Sequence, residues 1–257
     1  MDEKEFKFIY GPVASWRLGS SLGIDLISTT KICTFNCIYC QLGPTLNYPK
    51  KRKLYVPTEE IIEELNGLAK VSIDYITFSG LGESTVAKNL GTTIGAIKAL
   101  RKEPVAVLTN SSLMDREEVR EELSLADFVI AKLDVYSNES LGVINRPMEG
   151  IEFDMILEGI RRFRKEFNGK LGLQIMFVEE NKANAKELAL LAREIGPDEV
   201  QINTPLRPCD VKPLSKKELS EIKKFFKGMN VVSVYDAERK GVLPISKEAT
   251  LKRRGKI

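Results

Sequence analysis

Six times along this chain an apolar, strand-like run is followed by an amphipathic, helix-like run, and that alternation leaves few folds open. A chain that forms a helix between successive strands returns to the same end of the sheet each time, so the strands run parallel with the helices packed outside. The strand-like runs are residues 22–27, 75–79, 105–109, 128–134, 171–178 and 200–203. A helix is predicted from about Thr58, where Ile61, Ile62, Leu65, Leu68 and Ala69 recur at helical spacing behind Glu59 and Glu60. Others are predicted over 86–101, from Asp115 to about 124 with a capping box to Glu118, and over 153–167 after a loop through Asn145-Arg146-Pro147. The fifth starts near Asn184 and stops at Gly196-Pro197; the sixth starts at Ser215, boxed with Glu218, and turns Leu219, Ile222, Phe225 and Phe226 inward.

Six units are two short of a closed eightfold barrel, so the expected fold is α/β, a partial (β/α)6 barrel with a parallel sheet and helices outside. At 257 residues and 43% hydrophobic content, one domain over 1–257 is expected, with its core at about 20–235. Residues 231–235 are read as a further strand, and the tail after Pro244 is too short for a second domain. The opening MDEKEF has neither a basic nor an apolar leader segment, and no run of about eighteen apolar residues occurs, so a cytoplasmic protein without a membrane partner is expected.

Net charge is +3, from 39 Lys and Arg against 36 Asp and Glu, which does not announce a nucleic-acid partner, and DNA is not expected. Local basic runs stand at Lys50-Lys51-Arg52-Lys53, at Arg161-Arg162 with Arg164-Lys165, and at Lys252-Arg253-Arg254 with Lys256. Such runs are most often solvated faces, though each could meet phosphate.

Three of the four cysteines, Cys33, Cys37 and Cys40, fall within eight residues, which is not how a secreted disulfide framework spaces its bridges. One tight loop can point these thiols at a common centre, and thiolates are what iron-sulfur clusters bind. A cluster held by three cysteines leaves one iron open. The alternative is zinc, which prefers four cysteine or histidine ligands, and the chain has no histidine; Cys209 or a carboxylate would have to complete the set. In the strand register above, the cysteine loop, the Gly80-Leu81-Gly82-Glu83 turn, Asn110, Asp134 and the 205–213 loop all lie past strand ends on one rim, where ligands bind in such sheets.

The run Cys33-Thr34-Phe35-Asn36-Cys37-Ile38-Tyr39-Cys40, with an aromatic residue before the last cysteine and a six-unit β/α array behind it, resembles the radical S-adenosylmethionine superfamily. Gly11-Pro12-Val13, Arg17-Leu18-Gly19, Ser21-Leu22-Gly23, Gln41-Leu42-Gly43, Leu133-Asp134 and Asn203-Thr204-Pro205 with Arg207-Pro208 resemble its small iron-sulfur oxidoreductases related to tRNA wyosine synthetases. The resemblance implies a 4Fe-4S cluster on Cys33, Cys37 and Cys40 that reduces S-adenosylmethionine to methionine and a 5′-deoxyadenosyl radical, which removes hydrogen from a substrate. It implies cofactor contacts at Tyr39 and at Gly80, Gly82 and Glu83, whose turn receives the methionine amino group. Asn110 and Asp134 are candidates for the ribose or methionine part; alternatively Asn110 caps a turn, and Asp134 pairs with Lys132 or Arg146. Wyosine-base synthases carry further cysteines for a second cluster, whereas only Cys209 is left here, and Ala14 and Trp16 stand where the oxidoreductases have Pro and Arg.

Arg207, whose planar fork suits carboxylate or phosphate, and Cys209 are candidate substrate contacts, and no residue is assigned a catalytic role. The first functional expectation is an enzyme acting on a tRNA nucleoside. The second is an activase that abstracts hydrogen from a glycine of a partner protein, and the third, outside catalysis, is a zinc-stabilised RNA-binding module. For either enzyme the electrons are expected from an external one-electron donor.

Overall fold

The computed structural model describes residues 6–27, 29–68, 71–238 and 240–254. Ala69 and Lys256, and most of the N-terminal run read above, lie outside them. Eight strands form one sheet in chain order. The first two, β1 (Ile9–Ser15) and β2 (Gly19–Ile24), make an antiparallel hairpin. From β2 onward every neighbour is parallel, through β3 (Tyr75–Phe78), β4 (Val105–Thr109), β5 (Phe128–Lys132), β6 (Lys170–Met176), β7 (Glu199–Asn203) and β8 (Val231–Ser233). β1 and β8 end the order and are not bonded to each other, so the sheet is a half-barrel, as the six-unit count requires.

Around it lie α1 (Thr58–Asn66), α2 (Leu90–Leu100), α3 (Glu117–Leu123), α4 (Asn138–Ile144), α5 (Phe153–Glu166), α6 (Ala185–Ile195), α7 (Lys216–Lys223) and α8 (Lys247–Arg254). None of these helices is long and apolar enough to cross a membrane. Alternation along the strands divides the sheet's two faces. Leu171, Leu173 and Ile175 are fully buried in the same apolar cluster as Ile156, Ile160 and Leu188 of the helices. Leu18, Ala106, Phe128 and Ile130 form a separate small cluster. The strand residues out of phase with Leu173 and Ile175 are polar or flexible: Gln174 pairs in register with Gln201, and Met176 with Asn203. The inner wall is therefore partly polar, as a ligand chamber needs and a filled barrel core does not.

Helix ends follow the sequence where local chemistry decides them. α6 stops at Gly196 in the left-handed conformation (φ 63°), and α7 opens with the Ser215–Glu218 box, in which the serine hydroxyl accepts from Glu218 N at 3.2 Å. They depart from it where distant partners intervene. No Asp115–Glu118 box forms: residues 111–116 are spent on turns, Arg120 donates to the Met114 and Asp115 carbonyls at 3.1 and 2.9 Å, and α3 begins two residues later. α2 starts at Leu90 rather than 86 because 84–86 is a 3-10 turn capped by Glu83, and Ala87 is extended in a bridge to Lys53. The first parallel strand is Gly19–Ile24 rather than 22–27, since Asp25 accepts from Ile27 N at 2.9 Å and turns the chain. α7 tightens into a 3-10 turn over Lys224–Phe226, which buries Phe226 and leaves Phe225 exposed, against the expectation that both face inward.

β1, α4 and α8 have no counterpart in the sequence reading. α8 packs on β1, where Gly11 N donates to Thr250 Oγ1 at 3.1 Å and Arg253 Nε to Asp25 Oδ2 at 2.9 Å. Both side chains of that ion pair are 1% exposed, so neither charge can be left alone cheaply. Arg253→Met removes the guanidinium from buried Asp25 and is expected to cost about 3–5 kcal/mol, read as a lower urea midpoint at unchanged m-value.

Candidate active site

The excursion between β2 and α1 carries the cysteines and is clamped on both sides by backbone hydrogen bonds. On one side Ile32 N donates to Leu81 O and Glu83 N to Ile32 O, both at 3.0 Å. This approach is possible only because residue 82 is glycine: its φ is 144°, and a Cβ there would lie 1.7 Å from the Ile32 carbonyl oxygen. On the other side Asn36 N donates to Asn145 O at 2.9 Å, Ile38 N to Ile144 O at 3.0 Å, and Met148 N to Thr34 O at 2.8 Å. The glycine turn after β3 and the chain after α4 thus hold the loop at the carboxyl rim of the sheet.

Each of the three thiols meets its own side-chain N–H donor. Asn110 Nδ2 lies 3.5 Å from Cys33 Sγ, Asn145 Nδ2 3.3 Å from Cys37 Sγ, and Lys31 Nζ 3.1 Å from Cys40 Sγ. Such donors favour the thiolate form and a bound thiolate equally. Burial acts the other way, pushing the Cys33 thiol to about 12, with Cys37 and Glu83 adding to the effect, and raising Cys37 against Lys132 and Asn145. A metal centre would supply the positive charge that keeps these sulfurs ionised.

Asp134 organises the far side of the loop. One of its oxygens accepts from the Tyr39 hydroxyl and from Asn145 Nδ2 at 3.0 Å, and the other from Met176 N at 2.7 Å. Burial and the adjacent Asp134 charge hold the Tyr39 hydroxyl well above its ordinary pKa, so it stays a donor. Lys132 sits 3.5 Å from Asp134 and 4.7 Å over the Tyr39 ring, which realises one of the two pairings considered for Asp134. Glu83 is saturated as well: one oxygen accepts from Thr85 N, Thr85 Oγ1 and Thr109 Oγ1 at 3.1, 2.8 and 2.8 Å, the other from Asn110 N at 2.6 Å. Desolvation raises its pKa while those donors lower it. Asn110 caps the turn, as its alternative reading has it, its Oδ1 accepting from Ser112 N at 3.0 Å, while Nδ2 reaches Thr34 Oγ1 at 2.8 Å and Cys33.

Beside the loop a cavity of about 530 Å³ opens within the half-barrel. Of the residues singled out from sequence, Tyr39, Gly80 and Arg207 line it, whereas Gly82, Glu83, Asn110 and Asp134 stand behind it as supports. Arg207 Nη1 donates to Gln41 Oε1 at 2.6 Å, next to Cys40. Cys209 is not in the wall, and its thiol donates to Val211 O at 3.3 Å. Lys31, Gln41, Asn145 and Arg254 are site residues that the sequence reading missed. Gln41 and Lys31 flank the motif, but Asn145 is 108 residues from the sulfur it meets and carries no spacing signal.

The arginines of the basic runs are partly paired within the protein. Arg52 is buried, donating to the Thr85 and Ala87 carbonyls and pairing with Glu122; Arg161, Arg162 and Arg164 pair with Glu194, Glu158 and Asp198.

Residues 27–192 match the family profile described as the Radical SAM superfamily, and the chain belongs to that superfamily. It is an enzyme of this class, whose cofactors are a 4Fe-4S cluster and S-adenosylmethionine. Its relatives include the UPF0026 protein of Synechocystis sp., 46% identical over 214 residues (82% of this chain, 79% of that protein), and the UPF0026 protein of Methanocaldococcus jannaschii, 34% identical over 230 residues (87% and 71%). In fold it is similar to SuiB of Streptococcus suis, whose structure is bound to S-adenosylmethionine: TM-score 0.65 at 13% identity, over 84% of this chain and 50% of SuiB. The chain thus spans about half of SuiB.

The residues present suit the cluster better than a single ion. Three thiols come from one loop, the chain has no histidine, and among the described residues no three His, Cys, Asp or Glu side chains gather closely enough to hold one metal ion. A cube of iron and sulfide spreads its ligands over separate corners, and N–H donors to the sulfurs tune its potential. Asn145→Ala removes a donor shared by Cys37, Tyr39 and Asp134; it is expected to cost about 1–3 kcal/mol in urea unfolding and to lower iron and sulfide retained per chain.

Proposed function

We propose that Cys33, Cys37 and Cys40 hold three corners of the cluster, that S-adenosylmethionine lies between that loop and the cavity, and that the reaction removes a hydrogen atom from a substrate in the cavity. The observation that carries this reading is the clamped loop itself, with three sulfurs, three separate N–H donors and a chamber at its edge. When bound, the cluster supplies one electron to the sulfonium, whose cleavage yields methionine and the 5′-deoxyadenosyl radical.

The chain's own part is placement and exclusion. Gly80 and Gly82 let the turn after β3 close on Asp25 and on the cysteine loop, because any side chain there would strike Asp25 or Ile32. Asp134, Asn145 and Lys132 lock the ring and hydroxyl of Tyr39, which faces the cavity beside Cys40. Val13, Leu108, Met176 and Val234 give the chamber apolar wall that keeps water from a reactive carbon centre. The electron comes from a separate donor protein.

The wyosine-like motifs make a tRNA nucleoside the substrate suggested by resemblance. The charge layout lends it little support, since Arg52 and the α5 arginines are paired internally and leave Lys50, Lys51 and Lys53 as the cations beside the cysteine loop.

Anaerobically purified and reconstituted protein is expected to contain iron and sulfide and, once reduced, to form 5′-deoxyadenosine from S-adenosylmethionine. Cys37→Ala is expected to lower product by about a hundredfold or more together with its iron content. Zinc in place of iron in the isolated protein, or undiminished product from the Cys37 variant, would refute the assignment.

A further inference from the structure

Four arginines, Arg17, Arg207, Arg253 and Arg254, line the cavity, and among the described residues no aspartate or glutamate does. Arg253 is neutralised by Asp25, whereas Arg207 and Arg254 reach the cavity from separate places, the loop after β7 and the end of α8. Arg207 is oriented by a neutral partner, Gln41, which fixes the guanidinium without reducing its charge. Arg17 stacks on the Trp16 ring with its guanidinium carbon 4.3 Å from the centroid. Arg254 has neither a hydrogen bond nor an ion pair to any of the described residues, although its surroundings are dry enough that desolvation lowers its pKa.

A desolvated guanidinium without an anion is unfavourable, and proteins rarely keep one unless something else brings the anion. The favourable end of the α8 dipole would account for a cation in the last helical turn, as it does for exposed Lys252, but not for one facing the chamber. We propose that Arg254 and Arg207 form an oxyanion site in this cavity that receives the phosphate of a small phosphorylated substrate. This rests on the radical reading above for the claim that the occupant is a substrate. A guanidinium fork matches the paired oxygens of phosphate. The enclosure selects a compact molecule over a polymer, because the arginines line a cavity inside the half-barrel rather than a track along its surface.

The test is calorimetric titration of the reconstituted protein, saturated with S-adenosylmethionine, with inorganic phosphate and separately with acetate. The fluorescence of Trp16, the single tryptophan, gives a second readout from the cavity wall. Phosphate is expected to bind saturably and more tightly than acetate. Arg254→Gln is expected to weaken it about tenfold or more, and Arg254→Lys to recover part of the loss, since charge returns without the fork. Iron content and affinity for S-adenosylmethionine are expected to stay at wild-type values in both variants, which shows that the fold and the cluster loop are intact.

No saturable phosphate binding, equal affinity in wild type and Arg254→Gln, or preference for acetate overturns the proposal. So does a variant that loses S-adenosylmethionine affinity but keeps phosphate affinity, which would put the arginine on the cofactor's carboxylate. A tRNA that displaces phosphate more effectively than a mononucleotide overturns the small-substrate assignment. Formation of 5′-deoxyadenosine is measured on the same preparations: product without a phosphate site sinks this inference alone, and a phosphate site without product sinks the radical reading alone.

Discussion

The cysteine loop has almost no regular structure of its own, and what holds it is a pair of backbone seams. One seam runs to the turn after β3, where the absence of a side chain at residue 82 lets two carbonyl-bearing strands of chain touch. The other runs to the segment after α4. Backbone hydrogen bonds are directional and nearly rigid, so they set the positions of three sulfurs without relying on flexible side chains. Asn110, Asn145 and Lys31 then orient on a framework already in place.

The half-barrel explains why the rest of the site can exist. A closed eight-unit barrel fills its interior with side chains, whereas an open sheet leaves a lumen whose wall can be polar. Here Gln174, Asn203 and Thr204 face that lumen and a small apolar cluster of Leu18, Ala106, Phe128 and Ile130 stands apart from the main core. The open side is covered by β1 and by the C-terminal segment that packs on it, tied through Asp25 and Arg253. That one ion pair therefore links three things, the end of β2, the turn that holds Gly80, and the helix that presents Arg254 to the cavity.

Much of this was readable from residues alone. The strand runs after the first held, because fully buried parallel strands are written as continuous apolar segments and the helices between them as amphipathic ones. The Gly196 stop and the Ser215 box held because caps are made within a few residues. Of the residues placed on the rim, the structure brings Tyr39, Gly80 and Arg207 to one cavity. The Asp115 box failed because the chain over residues 111–116 is taken up in turns, and α2 started late because Lys53, far along the chain, bridges to Ala87.

Local rules thus set the class of fold, the cofactor loop and the chemistry of its thiols, since periodicity, caps and three closely spaced cysteines act over short stretches of chain. The roles of Glu83 and Asp134 could not be read that way. The sequence reads Glu83 as a cofactor contact and Asp134 as either that or a partner of Lys132 or Arg146, and each turned out to be filled by donors from other strands and loops. The same holds for Arg161 and Arg164, whose charges meet acids far along the chain, and for Arg254, which meets none among the described residues. Whether a charged side chain is available depends on which partners folding brings within reach, and that is a property of the packed chain rather than of its neighbours in sequence.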